Sequence, residues 1–163
     1  MATISKTVKK SVKVSQCAGA KKTLQSVCLR PHLTFTGNCE AAFKLYQKVF
    51  GGEFCCLIRF KDVPPTERKP DPKLRNKIYH MELSGGTMPL LGADACPDRP
   101  LLTVGNNVTL SIEASSAAEA KRMFKALSAK GKVHTPLAPC WAELFGETTD
   151  RFGIRWFVHF TGG

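Results

Sequence analysis

One order of strands and helices occurs twice along this chain, and that duplication limits the folds open to it more than any other feature. Pro31 to Thr36 alternates His32, Thr34 and Thr36 with Leu33 and Phe35, the pattern of a half-buried strand. After Gly37-Asn38, the apolar residues Cys39, Ala42, Phe43, Tyr46, Val49 and Phe50 recur at steps of three and four, which predicts a helix stopped by Gly51-Gly52. Glu40 falls in its first turn, where the helix dipole favours an acid. Glu53 to Phe60, Ile78 to Leu83 and Thr87 to Ala93 read as strands, the first two separated by a Pro-rich, charged loop from Asp62 to Lys77.

The order then restarts. Asn107, Thr109 and Ser111 alternate with Val108, Leu110 and Ile112, and Ala117 to Lys130 carries a helical stripe of Ala120, Met123, Phe124 and Leu127 ended by Gly131. Lys132 to Pro136, Glu143 to Thr148 and Ile154 to Phe160 follow as strands, the last two joined by a turn at Asp150 to Gly153. His32 and Asn107 are 75 positions apart, and the helix ends Phe50 and Leu127 are 77 apart. The expected fold is therefore α+β: two βαβββ modules, about 31–95 and 105–163, forming a cup-shaped curved mixed sheet with the helices on its outer face. The polar half of each alternation lines the concave face, where a small molecule would bind.

Composition sets the remaining bounds. The formal net charge is +11, yet residues 1–30 hold seven basic groups (Lys6, Lys9, Lys10, Lys13, Lys21, Lys22, Arg30) and no acid, which leaves +4 for the rest. Residues 1–30 thus read as a basic flexible tail or a targeting segment, and 31–163 as the folded domain. The tail has no Trp, Tyr or Phe to stack on bases, so nucleic acid is not the expected partner. No apolar run approaches the ~18 residues of a membrane-spanning helix. Seven scattered cysteines without a CxxC pair fit free thiols in a reducing compartment, so the cytoplasm is the expected location; a mitochondrial or plastid address through residues 1–30 is the alternative. Neither Cys39 nor Cys140 has a neighbouring His in sequence, and both are expected to be buried, inert thiols.

Several segments in this order, Leu33-Thr34-Phe35-Thr36-Gly37-Asn38-Cys39-Glu40-Ala41-Ala42, Tyr46-Gln47-Lys48-Val49-Phe50-Gly51-Gly52-Glu53, Arg59-Phe60-Lys61-Asp62 with Pro64-Pro65, His80-Met81-Glu82-Leu83 and Phe145 to Trp156, resemble the PhnB-like branch of the vicinal oxygen chelate superfamily. That superfamily includes glyoxalase I, bleomycin-resistance proteins and extradiol dioxygenases. The resemblance spans about Pro31 to Phe160 and implies paired βαβββ modules, a homodimer and, in the enzymes, a divalent metal acting as a Lewis acid with open positions for substrate oxygens. His32 matches the first-strand ligand position. Asn107 stands at the equivalent place in the second module, Phe157 stands where metal-using members carry Glu, and the fourth position falls near Met88 to Leu91, where no donor is available. The standard metal centre is therefore rejected, and no cofactor is expected.

The residues expected to face a ligand are His32, Thr34, His80, Glu82, Asn107, Thr109, Trp141, Phe145, Arg155, Phe157 and His159. His80 and Glu82 share a strand face by the two-residue period, Trp141 and Phe145 offer aromatic surface at the cup mouth, and Arg155 offers a fork of donors to an acidic or carbonyl ligand. Trp156, Val158 and Phe160 point the other way, into the core against the second helix. The first expectation is a small-molecule-binding protein of the glyoxalase and bleomycin-resistance type. The alternative is a lyase, isomerase or oxygenase with a displaced metal held by some of His32, His80, Glu82 and His159. A third reading, from another class, is binding to anionic surfaces or nucleic acid through the tail.

Overall fold

The computed structural model describes residues 28–64, 71–86, 88–96 and 101–162, so the tail reading lies, apart from residues 28–30, outside the described residues. In chain order the elements are β1 (His32–Phe35), α1 (Cys39–Phe50), β2 (Glu53–Arg59), β3 (Ile78–Ser84), β4 (Leu90–Asp94), β5 (Leu110–Glu113), α2 (Ala117–Ser128), β6 (Lys132–Ala138), β7 (Leu144–Thr149) and β8 (Arg155–Phe160), with short 3-10 turns at Phe60–Asp62 and Pro72–Leu74. They build two four-stranded mixed sheets of the same order, β1-β4-β3-β2 and β5-β8-β7-β6. In each sheet the first strand pairs parallel with the fourth, and the remaining pairs are antiparallel. This is the α+β duplication that the spacing predicts.

Each helix buries most of the stripe read from its sequence, with Phe50 and Phe124 half-buried at its margin. Cys39, Ala42, Phe43, Tyr46 and Val49 of α1 are buried, as are Ala120, Met123 and Leu127 of α2. Gly51 stops α1 at φ 75°, a left-handed conformation that costs glycine nothing. In α2 the Ser116 hydroxyl accepts from the Glu119 N–H at 3.2 Å while the Glu119 carboxylate accepts from the Ser115 N–H at 3.0 Å, satisfying two otherwise orphaned donors. The start of α1 is capped differently. Asn38 makes no side-chain cap bond; instead the buried Asp94, at the end of β4, accepts from the N–H groups of Cys39 and Ile78, each at 2.9 Å.

One hydrophobic core runs through both modules, and α1 joins them. Tyr46 packs edge-on against Trp156 of β8 (centroids 5.2 Å apart), and Phe50 lies 5.4 Å from the same indole. Asp150, buried after β7, accepts from the Tyr46 hydroxyl (2.8 Å), the Trp156 Nε1–H (2.9 Å) and the N–H groups of Phe152 and Ile154. Trp156 is core, as expected, but its aromatic partners are on α1 of the other module. On the far side of α1, Gly92 of β4 leaves room for the Phe43 ring, which a Cβ there would strike.

Several strand boundaries differ from the sequence expectation, some by a single residue. β2 stops at Arg59 because the Asp62 carboxylate takes the Arg59 N–H (3.0 Å) and turns the chain into a 3-10 turn. β4 starts only at Leu90. β6 runs on to Ala138 with Pro136 inside it, which an edge strand with a register shift between Thr135 and Ala138 tolerates. β5 begins only at Leu110, opposite Trp156, one residue into β8.

Candidate functional site

Because strand side chains alternate, each sheet has one face under its helix and one face that no described element covers, its uncovered face. In the first sheet, Phe35 packs on Phe43 of α1, so His32 and Thr34 lie on the uncovered side. The register carries that face across the sheet, from His32 to Leu91, Glu82 and Cys56, and from Thr34 to Ala93. His80, paired with Ile58, joins them, its ring 6.2 Å from that of His32 and nearly parallel. Glu82 receives Arg30 from the segment ahead of β1, at 3.7 Å. Burial and the nearby Glu82 carboxylate push the Cys56 thiol above its ordinary pKa.

In the second sheet, Trp156 and Val158 are buried, which turns Arg155, Phe157 and His159 to the uncovered side. One row there is Ser111, Phe157, Glu147 and Thr135; the next is Glu113, His159, Phe145 and Ala138. Phe145 and Phe157 are 5.3 Å apart. Trp141, on the loop between β6 and β7, leans over both Phe145 (5.7 Å) and His159 (5.8 Å) while remaining 69% exposed. The Ser111 hydroxyl and His159 Nε2 are 3.1 Å apart, and His159 Nδ1 is buried without a hydrogen-bond partner among the described residues.

The expected ligand-facing residues thus fall into groups. His32, Thr34, His80 and Glu82 share the first uncovered face; Phe145, Arg155, Phe157 and His159 share the second, with Trp141 above it. Asn107 and Thr109 are not on a strand; they belong to the segment that leads into β5. Arg155 is not an open fork. Its Nε donates to Glu147 at 2.6 Å, Nη2 pairs with the same carboxylate, and Nη1 donates to the Asn106 carbonyl at 2.8 Å. His134 is exposed, with Nε2 bonded to the Thr149 hydroxyl at 2.8 Å. Cys39 is buried, and burial together with Asp94 and Glu40 raises its thiol pKa far above the ordinary value; Cys140 is exposed, contrary to expectation, because its loop lies outside the core.

Sequence reasoning missed Glu147, Asp94 and Asp150. Glu147 shares the two-residue period of Phe145 and could have been found from it, whereas the two aspartates are defined only by donors brought from remote parts of the chain. Among the described residues no group of three or more His, Cys, Asp or Glu side chains is arranged to hold a metal ion. Nor is any described helix long and apolar enough to cross a membrane.

Two βαβββ modules, each a four-stranded mixed sheet with a helix on one face, define a protein of the vicinal oxygen chelate class. The chain is accordingly similar in fold to a glyoxylase/bleomycin resistance protein/dioxygenase domain from Frankia (TM-score 0.57, 13% identity, 84% of this chain and 98% of that chain covered). Within the class it belongs to the PhnB-like family, whose model, described as 3-demethylubiquinone-9 3-methyltransferase, matches residues 28–159. It is 37% identical to a protein of known structure from Pseudomonas aeruginosa, with a TM-score of 0.75 over 83% of this chain and 98% of that one. A PhnB protein from Bacillus cereus, called a putative 3-demethylubiquinone-9 3-methyltransferase, is 18% identical with a TM-score of 0.68 over 81% and 98% of the two chains.

Proposed function

We propose that this protein binds a small organic molecule on the uncovered faces of its sheets, as a homodimer and without the standard metal of its superfamily. The observation that supports this reading best is the second face, where exposed Trp141 overhangs Phe145 and His159 beside Phe157. Aromatic walls carrying a few polar groups are the usual make-up of a ligand site. The donor set does not fit the superfamily's metal: Phe157 has no lone pair to give, Asn107 is off the strand, and among the described residues His32, His80, Glu82 and Cys56 of the first face are not arranged to hold an ion. Methyl transfer, which the family description names, draws no support from the turns that open the helices. A nucleotide cofactor is cradled by a Gly-rich turn between strand and helix; here those turns hold Gly37-Asn38, with the Lys77 ammonium bonded to the Gly37 carbonyl, and Ser115-Ser116. The binding unit in this reading is residues 31–163, with the basic tail an accessory, and the compartment is cytoplasmic or, through the tail, an organelle.

Native mass spectrometry of freshly purified full-length protein tests this. A dimer with a retained organic ligand is the expected result. Stoichiometric Ni, Fe, Mn or Zn that is lost in His32→Ala would instead establish the displaced-metal enzyme, in which some of His32, His80, Glu82 and His159 supply the ligands.

A further inference from the structure

The two uncovered faces are built alike but are not equivalent. On the first, the strongest polar groups engage one another: Glu82 pairs with Arg30, and His80 stacks on His32. On the second, Arg155 and Glu147 also satisfy each other, but two features are left over. One is a continuous aromatic floor of Phe157, Phe145 and His159, covered on one side by an indole whose own outer surface is in solvent. The other is His159 Nδ1, buried with no partner among the described residues. We infer that the second face is the ligand platform by itself, and that its ligand is a planar aromatic molecule bearing a hydroxyl group.

The argument deepens the small-molecule reading and rests on it. A flat conjugated ring is the shape that gains most from Trp141, Phe145 and Phe157, because aromatic pairs add offset-stacking and edge-to-face terms to simple area burial. The hydroxyl follows from the imidazole. A neutral His has one donor and one acceptor nitrogen, and the Ser111 hydroxyl, which can give or take a proton, suits Nε2 in either tautomer. Nδ1 is therefore left needing either an acceptor or a donor. A ligand hydroxyl meets both cases, whereas a carboxylate or an ammonium meets only one. Access requires Trp141 to lift from the imidazole, and the loop that carries it, Pro139 to Glu143, is exposed except at Ala142.

Isothermal titration calorimetry of the full-length protein with 2-naphthol tests the inference, with 2-methoxynaphthalene as the capped-hydroxyl analogue and cyclohexanol as the non-planar alcohol. The expected result is binding of 2-naphthol that falls about tenfold in Trp141→Ala but is largely kept in Trp141→Phe. 2-Methoxynaphthalene should bind more weakly to the wild type, and His159→Phe should lower 2-naphthol to the level of that analogue. Thermal unfolding of each variant establishes that it is folded. Equal affinity for the two naphthalenes, unchanged affinity in Trp141→Ala, or amide shifts confined to β3 and β4 on adding 2-naphthol would each overturn the inference while leaving small-molecule binding intact. If none of the three compounds gives heat or amide shifts and native spectra show no retained ligand, both readings fall together.

Discussion

Replacing Tyr46 with Phe removes a single oxygen atom from the centre of the molecule, and the structure fixes what that should cost. Tyr46 has 0% exposure, and its hydroxyl donates to Asp150 Oδ2 at 2.8 Å. The ring stays, with its neighbours Phe43 at 5.7 Å and Trp156 at 5.2 Å, so no cavity opens. A hydrogen bond to an ionised partner contributes about 1.5–3 kcal/mol. Asp150 keeps three donors, the indole of Trp156 and two backbone N–H groups, which places the loss near the middle of that range, about 2 kcal/mol. For a domain of this size that corresponds to a fall of roughly 4–8 °C in Tm. Urea unfolding at pH 7, followed by tryptophan fluorescence, should show a lower midpoint with an unchanged slope.

A second arm of the same experiment uses pH. Burial, then the Asp150 charge and the hydrogen bond to it, raise the Tyr46 pKa well above its ordinary value of about 10. Above pH ~10 the unfolded chain releases this proton while the folded chain keeps it, so Tyr46's contribution is complete below that pH and declines as pH rises. The limiting slope is about 1.4 kcal/mol per pH unit. The stability gap between wild type and Tyr46→Phe should therefore narrow between pH 9.5 and 11 (about one unit around the free phenol value). A difference under about 0.5 kcal/mol at pH 7, within the range of ordinary surface changes, would refute the view that this bond ties the modules together; so would a gap that stays constant into alkali.

Gly92→Ala places a Cβ against the Phe43 ring and beside Cys39 Sγ, and since both neighbours are buried, thermal melts should show a loss of about 1–3 kcal/mol. Asp94→Ala removes the acceptor shared by the Cys39 and Ile78 N–H groups and should cost about 2 kcal/mol or more, with amide exchange fastest at the start of α1; uniform protection there would sink the capping role.

The fold was legible because its signals are local and repeated. The stripe of Cys39, Ala42, Phe43, Tyr46 and Val49, the Gly51 stop and the alternation of β1 and β8 are all visible without a partner strand, and each is found where expected. The candidate site was only half legible. Alternation correctly placed His80 with Glu82, and Arg155 with Phe157 and His159, on shared faces. It could not reveal that Asn107 and Thr109 fall short of the strand, since the start of β5 is set by where its ladder with the remote β8 begins, at Leu110 opposite Trp156.

Sequence alone determined the two-module plan, the helix faces and the lack of a chelating side chain at Phe157, because periodicity and side-chain chemistry are properties of neighbouring residues. Tertiary structure decided that Arg155 is held by Glu147 rather than open to a ligand, that Asp94 caps a helix 55 positions away, and that Asp150 is reached by Tyr46 across 104 positions. Hydrogen-bond partnership depends on distances of about 3 Å between groups that only folding brings together, and no pattern along the chain records it.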